Sequence, residues 1–144
     1  MRNNAFFMNK LEQRNTLKKA ERLSSKIQID RLFSGGSKSL VAFPLRIVFT
    51  SSPKNEEASA SILTSVPKKY FHHAVDRNFV KRELREAYRK NKHILLDYLS
   101  DKDYGVAIGF IWLSKDLCTA QDVENKVRNL LLRMTEKFQS CEKS

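Results

Sequence analysis

The sequence predicts a single α+β domain, because segments with helical periodicity alternate with strand-like segments along a chain of 144 residues. Hydrophobic residues make up 41% of the chain, which is sufficient for a packed core at this length. The predicted order is helix, two or more strands, helix, strand, helix. We expect a flexible basic arm over residues 1–15, a folded domain over residues 16–140 and a short tail over residues 141–144.

The first half of the chain predicts one helix and two strands. A short helix is predicted through Phe33, capped by Ser24 or Ser25 and ended by Gly35-Gly36. Alternating apolar residues predict a strand over residues 40–50, in which Pro44 requires an edge position or a bulge. Residues 51–57 are predicted to form a hairpin loop, after which a second strand over about residues 58–66 returns antiparallel.

The second half predicts two longer helices around a buried strand. A basic amphipathic helix begins near Asp76 and is expected to continue to Leu99. The continuous apolar run over residues 104–112 predicts a buried strand. Thr119 and Asp122 have the spacing of a capping box and open the last helix. The core-facing positions of that helix are Val123, Val127, Leu130, Leu131, Met134 and Phe138.

Positive charge is concentrated in the first two-thirds of the chain. The formal net charge is +11, and residues 1–93 contain 20 Lys and Arg against 8 Asp and Glu. Residues 94–144 contain 7 basic and 8 acidic residues. This asymmetry favours a surface that binds a polyanion. Nucleic acid is the first candidate, and an anionic membrane is the second, weaker one because the basic helix lacks a broad apolar face.

The middle helix has one basic face. At about 100° per residue, its cations and one asparagine fall within an arc of about 140°. This basic stripe consists of Arg77, Asn78, Lys81, Arg82, Arg85, Arg89 and Lys92. A neighbouring apolar arc holds Val80, Leu84, Ala87 and Tyr88, and two glutamates lie beyond the stripe. The alternative to phosphate binding is a solvated surface helix, but the charge is too one-sided for a face covered with salt bridges.

Other chemical signals are weaker. Adjacent His72 and His73 allow a ribonuclease that uses histidine acid–base chemistry, although loop histidines are more often simple polar residues. His93 lies too far along the chain to complete a metal site with them, and no carboxylate has ligand spacing. Cys118 and Cys141 are predicted to be free thiols. The chain has no apolar run of the roughly 18 residues that span a membrane, so a cytoplasmic protein is expected.

The basic helix resembles the signature of the bacterial ribonuclease P protein subunit. The resemblance depends on the pattern Arg77-Asn78-x-x-Lys81-Arg82-x-x-Arg85-Glu86, preceded by Ala74-Val75 and by Lys68-Lys69. The pattern Arg14-Asn15-x-Leu17-Lys18-Lys19 and a first helix that contains Phe33 also match. The resemblance covers roughly residues 10–138.

The resemblance implies an α/β sandwich of the ribosomal protein S5 domain 2-like type. Such a domain has a mixed three- to four-stranded sheet, three main helices and a left-handed βαβ crossover, against the usual right-handed rule. The implied function is that of a ribonuclease P subunit: the RNA subunit removes the 5′ leader of precursor tRNA, using Mg²⁺ that is bound mainly by RNA. The protein would bind the catalytic RNA and the precursor, and the free protein is expected to be a monomer away from membranes.

The resemblance and the basic stripe together imply the binding residues but no protein catalyst or metal ligand. The expected RNA-binding residues are Lys68, Lys69, Arg77, Asn78, Lys81, Arg82, Arg85 and Arg89. Ile29 and Phe33 are expected to line the cleft for the leader, where unpaired bases stack on aromatic rings. Phe79 replaces a residue that is often basic, and we expect it to be an exposed aromatic facing RNA. The alternatives are a protein-only histidine ribonuclease and a ribosomal or other structural RNA-binding protein.

Overall fold

The computed structural model describes residues 21–23, 26–33, 37–53 and 58–143. The elements are α1 (Lys26–Phe33), β1 (Lys38–Ala42), β2 (Leu45–Pro53), β3 (Ala60–Ser65), α2 (Ala74–Asn91), α3 (His93–Leu99), β4 (Tyr104–Trp112) and α4 (Ala120–Lys143). The predicted basic arm, the serine caps of the first helix and its glycine stop lie outside the described residues. Every helix and strand predicted from the sequence has a counterpart among these elements.

The four strands form one mixed sheet with the order β1-β2-β4-β3. β2 pairs antiparallel with both β1 and β4, whereas β3 pairs parallel with β4. Because β3 and β4 are parallel neighbours, the helices α2 and α3 form the crossover that connects them. The predicted mixed sheet with a βαβ crossover is therefore confirmed, while the left hand of the crossover stays a prediction.

Two details of the predicted strands are wrong. The single strand expected over residues 40–50 is two strands, β1 and β2, which reverse at the Phe43–Pro44 bond. The alternation of apolar residues continues on both sides of that turn, so periodicity does not reveal the reversal. The hairpin expected over residues 51–57 is also wrong, because β4 lies between β2 and β3 and hydrogen-bonds to both.

Helices cover both faces of the sheet. On one face, α2, α3 and α4 bury a large core that includes Phe49, Tyr88, Phe110 and Trp112, each at most 1% exposed. On the other face, α1 packs Leu32 against β2 and β4. All six core-facing positions predicted for the last helix are buried. The structure is therefore a sandwich in which the crossover helix α2 has one face fixed against the core.

Candidate nucleic-acid interface

The orientation of α2 is set by its apolar arc. Val80, Leu84, Ala87 and Tyr88 are all 3% exposed or less, as their spacing predicts. The helix begins after His73, whose side chain makes no capping hydrogen bond, and it has an acidic residue in its first turn. Because the apolar arc is buried, the adjacent basic arc faces the surface.

The structure brings most of the basic stripe to one surface. Asn78 and Arg82 are exposed. Four other residues of the stripe are partly exposed: Arg77, Lys81, Arg85 and Arg89. No carboxylate in the described part of the chain forms an ion pair with Lys81, Arg82 or Arg85. These three cations therefore keep their charge available for an external anion.

Lys92 does not belong to this surface, which corrects the helical projection. It lies between α2 and α3, is 5% exposed, and donates from Nζ to both carboxylate oxygens of Glu21 at 3.0 and 3.1 Å. Glu21, which is itself buried, therefore occupies the junction between the two helices and pairs with Lys92 there. A helical projection of α2 cannot show this contact, because Glu21 lies 71 positions away in the sequence.

Two other stripe residues have partners inside the protein. Arg77 donates from Nη1 to the backbone carbonyls of Phe71 at 2.8 Å and His72 at 3.0 Å, so it holds the turn that leads into α2. Arg89 pairs with Glu86 one turn earlier, and its Nε lies 3.1 Å from Glu86 Oε2. Both guanidinium groups remain partly exposed, but each already satisfies part of its hydrogen-bonding capacity.

Arg22 extends the basic surface, and sequence reasoning missed it. The Leu23 amide donates to the Ile62 carbonyl at 2.7 Å, so residues 21–23 lie along the free edge of β3. Arg22 thereby faces Lys81 and Arg85 across a groove of about 250 Å³, the β3-edge groove. Its lining residues are Arg22, Leu23, Ile62, Leu63, Thr64, Lys81 and Arg85. No local pattern marks Arg22, because only its contact with a distant strand places it here.

The electrostatics of the β3-edge groove fit an anion. Three of its lining residues are cations and none is a carboxylate. The pKa of Arg85 is lowered, first by burial and then by the nearby charges of Arg22 and Arg82. A bound anion reduces the electrostatic repulsion between cations at a partly buried site, and a nucleic-acid phosphate has the required charge.

The turn before α2 adds two exposed cations. Lys68 and Lys69 are both exposed, and Lys69 Nζ lies 5.1 Å from the centroid of the Tyr70 ring. His72 and His73 are exposed in the same turn. Among the described residues, no three His, Cys, Asp or Glu side chains lie together as a metal site requires. None of the described helices combines the length and apolar character that crossing a bilayer requires.

The two residues expected to line a cleft lie on α1, on the other face of the sheet. Ile29 is partly buried against β2 and β4, whereas Phe33 is 49% exposed. A Cβ atom at Gly109 would lie 3.4 Å from Phe33 Cζ, so the missing side chain lets the ring approach β4. Phe33 therefore offers one aromatic face beside a sheet rather than a fully buried core position.

Comparisons with known proteins agree with this geometry. The family model for ribonuclease P matches residues 17–135. The ribonuclease P protein component of Porphyromonas gingivalis is 41% identical over 118 residues, which is 82% of this chain and 85% of that protein. The component of Chlorobaculum tepidum is 35% identical and covers 70% of both chains.

A solved structure matches the fold. The RNase P protein from Thermotoga maritima superposes with a TM-score of 0.60 at 27% identity, covering 78% of this chain and 96% of that one. The sequence matches include α2 with its basic stripe, and they do not favour a protein-only histidine nuclease or a ribosomal protein. The chain belongs to the ribonuclease P protein component family.

Proposed function

We propose that this subunit of the ribonucleoprotein enzyme ribonuclease P binds the catalytic RNA through α2 and the β3-edge groove. The observation that supports this most strongly is that Lys81, Arg82 and Arg85 project from one rigid helix face without an ion-pair partner among the described carboxylates. Arg22 adds a fourth cation from a different part of the chain. Guanidinium groups in particular bind phosphate oxygens with two parallel hydrogen bonds.

The rigidity of α2 is part of its function. Its buried arc prevents the helix from rotating about its axis, so the backbone positions of the cations are fixed before RNA binds. Arg77 contributes by holding the turn before the helix, where Lys68 and Lys69 add further charge. A preorganised row of cations loses less conformational entropy on binding than cations on a flexible segment.

Precursor tRNA is the second proposed partner, and its 5′ leader would lie against α1. The exposed face of Phe33 supports this, since an aromatic ring stacks on an unpaired base without regard to its identity. Ile29, one turn earlier, supplies an adjoining apolar surface. Such a site suits a substrate whose leader varies in sequence.

The chemical step would belong to the RNA subunit. Mg²⁺ would be held mainly by RNA phosphates, and the protein would contribute cations that reduce the repulsion between catalytic RNA and precursor. His72 and His73 have no role in bond cleavage. We expect the free protein to be a monomer in the cytoplasm.

A cleavage assay tests this division of labour. Precursor tRNA and Mg²⁺ are incubated with the protein alone, the catalytic RNA alone, and both together at physiological salt. We expect cleavage at the mature 5′ end to be fastest with both and absent with nuclease-treated protein alone. Arg82→Ala and Arg85→Ala should weaken the reconstituted enzyme, whereas Arg133→Ala, on α4 near β1, should not. Turnover by the protein alone would contradict the proposal.

A further inference from the structure

Phe79 forms part of a groove that the basic stripe does not explain. The ring is 46% exposed on α2, at the border of the stripe and one turn before Arg82. The structure places it beside the start of α4, where Ala120 and Glu124 complete a groove of about 170 Å³, the Phe79 groove. The sequence indicates an exposed aromatic here, but only the fold shows that a second helix lies beside it.

The charges around the Phe79 groove differ from those of the phosphate-binding surface. Glu83, Glu86 and Glu124 line it together with Arg82 and Lys90. Glu86 and Glu124 already pair with arginines on their own helices. Glu83 makes no ion pair or hydrogen bond within the described part of the chain, and burial raises the pKa of its carboxyl. With three carboxylates against two cations, the groove lacks the one-sided positive charge that suits the β3-edge groove to the RNA backbone.

An uncharged nucleobase does fit. A base presents a flat aromatic face that stacks on a phenyl ring, and its amino groups donate hydrogen bonds that a carboxylate accepts. Arg82 lies at the border between the groove and the basic stripe, so a base here would remain attached to a phosphate on the stripe. Continuity with that surface favours RNA as the occupant over a separate protein partner.

We propose that an unpaired base of the RNA bound along α2 turns into the Phe79 groove, stacks on Phe79 and donates a hydrogen bond to Glu83. The inference rests on the proposed function, since it needs RNA on the basic stripe. It adds a base-binding site to a helix that otherwise contacts only phosphates. Bases with an exocyclic amino group (adenine, cytosine and guanine) would be preferred over uracil.

Substitutions at Phe79 distinguish stacking from charge. Affinity of the full-length protein for the catalytic RNA is measured across a salt series for Phe79→Ala, Phe79→Leu and Phe79→Trp. We expect losses of about 5- to 100-fold for Ala and Leu, near-normal affinity for Trp, and an unchanged salt dependence for all three. Val75→Ala is the matched control, because Val75 is 78% exposed one turn earlier on the same helix and does not line the groove.

Each other outcome overturns the inference in a recognisable way. Full affinity in Phe79→Leu would show an apolar contact without stacking. Full affinity in Phe79→Ala, with Arg82→Ala still weakened, would remove the base site and leave the proposed function intact. If Phe79→Ala keeps its RNA affinity but loses self-association in sedimentation, a second copy of the chain occupies the groove. If Arg82→Ala also binds normally, the proposed function itself fails.

Discussion

The buried ion pair between Glu21 and Lys92 gives the sharpest prediction about how the binding surface is assembled. Their side chains are 7% and 6% exposed, and Lys92 Nζ lies 3.0 and 3.1 Å from the two carboxylate oxygens. The pair fixes Glu21 at the junction of α2 and α3, and the next residue, Arg22, lines the β3-edge groove. Removing one partner takes from the other buried charge the counter-ion that this pair supplies.

Lys92→Met should lower the free energy of unfolding by about 3–5 kcal/mol, the usual cost of breaking a buried pair from one side. That is a large share of the roughly 5–15 kcal/mol by which domains are stable. The double variant Glu21→Leu/Lys92→Met should recover much of the loss, because two apolar side chains leave no buried charge. Arg89→Met is the control: its pair with Glu86 is 29% and 51% exposed and should contribute less than about 1 kcal/mol.

Urea unfolding followed by the fluorescence of Trp112, the one tryptophan of the chain, measures these differences. A loss of stability in Lys92→Met no larger than that in Arg89→Met would contradict a stabilising role of the buried pair. A double variant whose loss of stability equals the sum of the losses in the two single variants would contradict it as well, since partners in contact show a coupling energy.

Three further predictions concern close packing, charge and thiol reactivity. In thermal melting, Gly105→Ala should lower the free energy of unfolding by about 2–3 kcal/mol, because the new Cβ would lie 2.7 Å from a backbone oxygen. Gly109→Ala should lower it by only about 1 kcal/mol, because its Cβ would lie 3.1 Å from two side chains that can shift. Equal losses in the two variants would contradict this. Glu86→Gln should raise RNA affinity about two- to fivefold in filter binding, since it removes a negative charge beside the basic stripe; weaker binding would contradict it. At pH 8, Cys118 should be alkylated more slowly than a small-molecule thiol, because burial and nearby acidic groups raise its pKa. Mass spectrometry measures the two rates, and equal rates would contradict the prediction.

Local periodicity accounts for the parts of the fold that the sequence predicts well. The buried arc of α2 and the core stripe of α4 follow from the 3.6-residue repeat, which depends only on residues close in sequence. The capping of α4 is equally local: Thr119 Oγ accepts a hydrogen bond from the Asp122 amide at 3.1 Å. Each of these features needs no knowledge of the rest of the chain.

The missed features depend on contacts between distant segments. The sheet order places β4 between β2 and β3, which alternation within one strand cannot indicate. Lys92 belongs by angle to the basic stripe, but Glu21, 71 positions earlier, buries it. Arg22 joins the binding surface through its bridge to Ile62 in β3. In each case the deciding partner lies far along the chain.

The salt dependence of binding to the catalytic RNA shows whether the cations of α2 contact phosphates. Each phosphate that the protein neutralises adds about 0.7–0.9 to the slope of log affinity against log salt. If Arg82 and Arg85 each contact one phosphate, the variant Arg82→Ala/Arg85→Ala should make this negative slope shallower by about 1.4–1.8. Arg133→Ala should leave the slope unchanged. A double variant that is folded by circular dichroism and keeps the wild-type slope would show that RNA does not bind along α2.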